Sequence, residues 1–205
     1  MSELVSTLRK LAEQDHLKIK EGFYAEKIMK GVLTLQDYKI LILANRIFHG
    51  KVQSLISPFF NDYPEYQLKK RNKIPALAQD LAQLNITEVF NDYQFEESLK
   101  IDSFWQALGA AYVVEGTAIG GAIIRKKLLA NKNITKSVSI NFYGCYQKEL
   151  SPLWKSFLSF LEEKSKTASK EQIDETVNKA KEIFLFYEHS IRKSQECFSR
   201  LSALV

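Results

Sequence analysis

One segment limits the possible folds of this chain more than any other. From Ala107 to Ile124 the sequence is almost continuously apolar, broken by a single charge, Glu115, and it carries four of the protein's eight glycines. An apolar run of this length is too long for a strand and reads as a helix. Glu115 and the glycine density argue against a membrane span. Each glycine inside a helix costs about 1 kcal/mol relative to alanine, so four of them require a compensating contact. Gly109 precedes Gly116 by seven residues and Gly120 follows it by four, which puts them on one bare stripe beside Gly121. Two things approach a backbone that closely: a neighbouring helix, or a flat ligand lying on the stripe.

The rest of the chain keeps the helical period and has no convincing strand alternation. Leu4, Val5, Leu8, Leu11, Ala12 and Ile19 mark a first amphipathic helix opened by Ser2. Phe23, Tyr24 and Ile28 mark a short second one, stopped by Gly31. Thr34 and Asp37 form a capping-box variant at the start of a long helix to about Phe60. Ile74-Pro75 opens another helix, and Asp102 or Ser103 caps the glycine-bearing one, which runs to about Leu129. A helix over Ser151–Lys164 follows, and Ser169 with Gln172 caps the last. The expected architecture is all-α, one domain over residues 1–205 with seven or eight helices.

Composition narrows the functional classes. The chain has 205 residues, 45% hydrophobic and 26% charged, with four prolines, as expected of an ordinary globule with a sizeable core. Its 29 basic against 24 acidic residues give a net charge of +5, an excess suited to an anionic ligand or an acidic protein partner. The densest basic cluster, Lys69 to Lys73, reads as a short solvated connection, so a nucleic-acid binder is not expected. Cys145 and Cys197 are not closely spaced and support neither a disulfide framework nor a Cys-based zinc site, which points to a reduced cytoplasm. Residues Met1 to Lys10 lack the apolar core of a secretory signal.

Arg9 and His16, seven apart, share a face of the first helix roughly 10 Å from each other. Taken alone, that pair is most simply a surface histidine near an unrelated arginine. The aromatic stretch from Phe142 to Trp154, with Lys155 beside it, is most simply core and a flanking solvated charge. His49 and His189 read as structural or surface residues. Glu115 reads as the anchor of a hydrogen bond or salt bridge rather than as a catalytic group.

In order and spacing these features resemble the bacterial, biliverdin-producing haem oxygenases, including those that supply chromophore to bacteriophytochromes or release iron from haem. The resemblance runs through Leu8 to His16, Gly31, Leu33 to Tyr38, Arg71 to Leu81, Leu108 to Gly121, Phe142 to Phe157 and Ala180 to Phe184. Its most specific part is Tyr112-Val-Val-Glu-Gly-Thr-Ala-Ile-Gly-Gly121, similar to the family's distal-helix signature. It implies that His16 is the axial ligand of the haem iron, and that Gly116, Thr117, Gly120 and Gly121 lie across the opposite haem face. It further implies that Arg9 and Lys155 meet the haem propionates and that Phe184 walls the pocket. Haem b would be both cofactor and substrate and O2 the co-substrate, with electrons from an acidic donor such as a ferredoxin or a reductase. The products would be biliverdin, CO and ferrous iron.

Two departures from the family pattern stand in the sequence. Thr117 occupies a neighbourhood where some members carry an aspartate. Lys20 stands four residues after His16, where a glutamate often orients the proximal imidazole, with Glu21 one position off that face. Other readings of the same fold are weaker. A di-iron oxidase wants two Glu-x-x-His pairs, and only Glu13-Gln-Asp-His16 supplies one. A thiamin-salvage enzyme wants an activated cysteine, and nothing near Cys145 activates it. A haem carrier or sensor without turnover would use the same residues.

Overall fold

The computed structural model describes residues 2–22, 24–86 and 99–202; side chains at 14–22 and 201–202 lie outside that description. Among the described residues eight α-helices follow one another: α1 (Glu3–Gly22), α2 (Ala25–Lys30), α3 (Leu35–Phe60), α4 (Ile74–Gln83), α5 (Phe104–Ala130), α6 (Lys132–Thr135), α7 (Leu150–Ser165) and α8 (Lys170–Ser202). No strand occurs among the described residues.

Local chemistry sets most of the helix starts. Thr34 Oγ1 accepts from the Asp37 amide at 3.1 Å while Asp37 accepts from the Thr34 amide at 3.0 Å, closing the capping box of α3. Ser103 accepts from the Gln106 amide at the start of α5. Ser169 and Gln172 make the reciprocal pair at the start of α8. Gly31 ends α2 at φ 70, in the left-handed region that glycine enters without strain. Tyr24 is also left-handed, at φ 57, so α2 begins at Ala25, later than the aromatic pair Phe23-Tyr24 suggests.

Helix α5 is central. It packs against α8, α3 and α7, and α1 closes over α7 and α8. The principal core joins Leu4 and Leu8 of α1, Phe48 and Val52 of α3, Leu108 and Ala111 of α5, Phe157 and Leu161 of α7, and Ile183 of α8. A second cluster fills the space between α2, α3, α4 and the segment from Ile134 to Tyr143, with Leu33, Tyr38, Ile42 and Leu77 at its centre. Among the described residues α5 is the one helix long and apolar enough to cross a membrane, and 56% of its apolar window is buried inside the molecule. Core packing accounts for that apolarity.

The connection over residues 61–73 departs from the solvated segment expected of it. It coils through two short 3-10 turns, Pro64–Tyr66 and Leu68–Arg71, and turns two of its cations inward. Arg71 and Lys73 are each only 1% exposed. Their burial follows from a long-range partner, Glu115 of α5, which accepts from Arg71 Nη1 at 2.6 Å and from Lys73 Nζ at 3.0 Å. Arg71 also donates to the Leu153 carbonyl and the Ser156 hydroxyl, and Tyr146 Oη donates to Glu115. Glu115 thus has the anchoring role its sequence context suggests, tying two connections to one point of α5.

Candidate functional site: an apolar cavity against a bare helix turn

A cavity of about 690 Å³ opens beside the middle of α5. This lies within the roughly 300–1,000 Å³ typical of small-molecule and cofactor pockets. One wall is α5, through Tyr112, Gly116, Thr117, Gly120 and Gly121; α8 faces it with Phe184, Tyr187 and Ile191. Ala12 of α1, Trp154 of α7, Ile28 and Met29 of α2, Asn45 of α3 and the pair Phe142-Tyr143 complete the enclosure. Met29 and Ile123 stand at its edge and are largely exposed.

The glycine stripe divides into two parts with different causes. A Cβ added at Gly109 would collide with the backbone carbonyl oxygen of Thr176, so Gly109 is there to let α8 approach α5. It does not share the cavity with the others, contrary to the single stripe expected from spacing. At Gly116 and Gly120 an added Cβ would meet nothing within 4 Å among the described residues, and both glycines line the cavity. Neither packing by the described residues nor a left-handed backbone explains these two. A cradle of that kind suits a ligand that comes up against the helix itself. Gly121 is intermediate, with an added Cβ 3.4 Å from the Tyr143 ring.

Polar groups on the cavity wall are few. Thr117 Oγ1 donates to the Val114 carbonyl at 2.8 Å and lies 3.5 Å from His49 Nε2. With its own proton committed to Val114, the hydroxyl meets His49 as an acceptor, which assigns the proton of that imidazole to Nε2. His49 is fully buried, between Phe48 and Phe142, and its Nδ1 has no partner. Burial, reinforced by the Lys73 charge, holds its pKa well below the ordinary range, so the ring is neutral. A second polar seam runs along α3 and α8: Tyr187 Oη donates to Asn45 Oδ1 at 3.3 Å, and Asn45 Nδ2 donates to Tyr143 Oη at 3.4 Å. Burial pushes Tyr187 up to about 12 and Tyr143 well above the usual range, so both phenols stay protonated.

The structure brings Gly116, Thr117, Gly120, Gly121 and Phe184 to this cavity. Arg9 and Lys155 are exposed and lie just outside it, Arg9 one turn before Ala12 on α1 and Lys155 next to Trp154 on α7. The Arg9 charge reaches Tyr112, although burial dominates and raises that phenol's pKa. Position 16 lies in α1, four residues beyond Ala12, and its side chain is outside the described residues, as are those of Lys20 and Glu21. Among the described residues no group of three or more metal-ligating side chains occurs, so the di-iron reading gains no cluster there. Cys145 is partly buried and its thiol pKa is raised, chiefly by burial, the reverse of an activated nucleophile.

The structural reading of His49 holds, since it is fully buried, but its contact with Thr117 behind the cavity wall and the place of Asn45 on that wall were not foreseen. A usable signal existed for His49, an imidazole inside the apolar run Ile47-Phe-His. For Asn45 there was none, because its side-chain partners, Tyr187 and Tyr143, come from α8 and from the segment after α6, and its bond to the Leu41 carbonyl is one any helical Asn can make.

No family model and no curated protein matches the sequence. Solved structures do match the fold. The haem oxygenase of Leptospira interrogans is 16% identical, with a TM-score of 0.74 over 94% of this chain and 100% of that one. The haem oxygenase of Neisseria meningitidis, solved with NO and CO bound, is 19% identical, with a TM-score of 0.65 over 92% of this chain and 91% of that one. At these identities the likeness is one of fold, and the all-α fold of this chain is that of the haem oxygenases.

Proposed function

We propose that this protein is a haem oxygenase, binding haem between α1 and α5 and supporting its O2- and electron-dependent cleavage to biliverdin, CO and ferrous iron. The observation that carries the reading is the apolar cavity whose α5 wall lacks side chains at Gly116 and Gly120, with no atom of the described residues filling the space. A flat, apolar ligand accounts for both the shape and the composition of that cavity. When bound, haem supplies the redox-active iron and is also the porphyrin that is opened.

The chain's own residues position and protect. His16, as a neutral imidazole, would hold the haem iron. Gly116, Gly120 and Gly121 let the α5 backbone approach the opposite face of the ligand, and the Phe184 ring closes the cavity from α8. Arg9 and Lys155, exposed neighbours of the wall residues Ala12 and Trp154, are proposed to receive the haem carboxylates as charge-assisted partners. Thr117 holds its proton on Val114 O and therefore presents acceptor lone pairs, which suits holding an ordered water. His49 fixes the orientation of that hydroxyl from behind.

The finer assignment follows the resemblance: one domain over residues 1–205, a bacterial cytoplasmic enzyme of the bacteriophytochrome-associated kind. Its electron donor is proposed to be acidic, a ferredoxin or a reductase, in keeping with the net charge of +5. Haem titration of the wild type and of His16→Ala tests binding. A strong Soret band in the wild type, altered or lost in the variant, is expected. Ascorbate or a ferredoxin system with O2 then tests turnover, and loss of the Soret band with the rise of biliverdin absorbance is expected. An unchanged haem spectrum would make the protein a carrier, and no Soret band at all would overturn the reading.

A further inference from the structure

Behind the glycine-bearing turn of α5, on the side of Thr117 and Gly121 away from α8, lies a second cavity of about 380 Å³. It is bounded by Lys73, Arg125, Gly144, Tyr146 and the α5 residues Ala118 and Ala122. No carboxylate lines it among the described residues. The charges around it do not cancel. Arg71 and Lys73 are buried against one carboxylate, Glu115, so that group carries one cation more than it has carboxylates; the buried Asp80 carboxylate is spent on the Asn141 and Phe142 donors and does not line the cavity. Arg125 adds another. Its Nε is buried without a hydrogen-bond partner, and no ion pair to it occurs among the described residues.

The side chains are built into this arrangement. Gly144 is where Arg125 packs: an added Cβ there would collide with the Arg125 side chain, so the glycine makes room for the guanidinium stem. Lys73 Nζ spends two donors, on Glu115 Oε1 at 3.0 Å and on Tyr146 Oη at 2.8 Å, and has a third left. Buried donors without acceptors are uncommon in folded proteins, and a cleft lined by one charge sign concentrates counter-ions.

We propose that this second cavity is a binding site for a small oxyanion, a carboxylate or a phosphate, held between Arg125 and Lys73. The anion satisfies the open Arg125 donor and offsets the excess charge of the Arg71–Lys73–Glu115 group. Because Thr117, Gly121, Phe142 and Tyr143 border both cavities, its occupancy bears on the wall of the larger one. The proposal is independent of the haem reading and is tested on the protein without haem.

The test is thermal unfolding of the full chain at constant ionic strength, with inorganic phosphate or malonate replacing chloride. Saturable stabilisation is expected in the wild type and in Lys126→Met, a neighbouring exposed charge. It is expected to weaken at least tenfold in midpoint concentration in Arg125→Met, and likewise in Ala122→Leu, which fills the cavity and keeps every charge. The stronger of the two anions decides between a phosphoryl and a carboxylate ligand. No saturable effect in the wild type, an equal effect in all variants, or loss in Arg9→Met with retention in Arg125→Met would each overturn the proposal. Should Arg125→Met fail to fold, Ala122→Leu and the ¹⁵N shift of the Arg125 Nε resonance on adding phosphate carry the same test.

Discussion

Glu115 Oε2 lies 2.6 Å from Arg71 Nη1, and each of these side chains is 1% exposed. A buried carboxylate that also receives Lys73 and Tyr146 is a structural anchor, and its loss strands two cations in a low-dielectric interior. Breaking such a pair from one side typically costs about 3–5 kcal/mol. Glu115→Gln should therefore lower unfolding free energy by that order in urea titrations, while haem turnover in the folded fraction changes less. A variant of unaltered stability with abolished turnover would move Glu115 from anchor to reaction.

The two kinds of glycine on α5 should respond oppositely to alanine. Gly116→Ala places a methyl in open space, so helix propensity should raise stability by up to about 1 kcal/mol. Gly109→Ala forces the methyl onto the Thr176 carbonyl and should lose about 1–3 kcal/mol by overpacking. Urea midpoints of the two variants check the difference in sign. A larger side chain, Gly116→Leu, should keep the fold and reduce haem affinity at least tenfold by Soret titration.

His49 makes stability depend on pH below neutrality. The unfolded imidazole takes up a proton near its ordinary value of 6.5, while the buried ring stays neutral to a much lower pH. The unfolded state then binds more protons, so stability falls as pH drops below about 6.5, approaching about 1.4 kcal/mol per pH unit from this group alone. His49→Gln should flatten the stability profile between pH 6 and 5 by about that slope relative to the wild type. Parallel profiles for the two proteins would refute the assignment.

Asp80 holds the turn that carries Phe142 and Tyr143. Its carboxylate accepts from the Asn141 amide at 3.0 Å, the Asn141 side chain at 2.8 Å and the Phe142 amide at 2.8 Å, with no exposure to solvent. Asp80→Ala leaves these donors unpaired and should destabilise by about 2–4 kcal/mol. Because Phe142 and Tyr143 line the large cavity, haem affinity should fall as well. Unfolding and Soret titration on the same preparation separate the two effects.

What could be read from the chain in advance follows the range of each interaction. Thr34, Ser103 and Ser169 announce helix starts because a cap is made within three residues. The helical content and the tension in the Ala107–Ile124 segment were likewise local properties. The inward turn of Arg71 and Lys73 was not legible, since their carboxylate lies 44 and 42 residues away. The same holds for the glycines: spacing puts Gly109, Gly116 and Gly120 on one side of a helix. Only the approach of α8 at Thr176 shows that the first serves packing and the other two face a void.

Glu115 immediately precedes Gly116, so the turn whose cavity side is opened by Gly116 and Gly120 begins where α5 is gripped by two cations and a phenol. Clamped at that residue, it serves as a hard bed: a guest in the cavity has to settle to the depth the backbone allows.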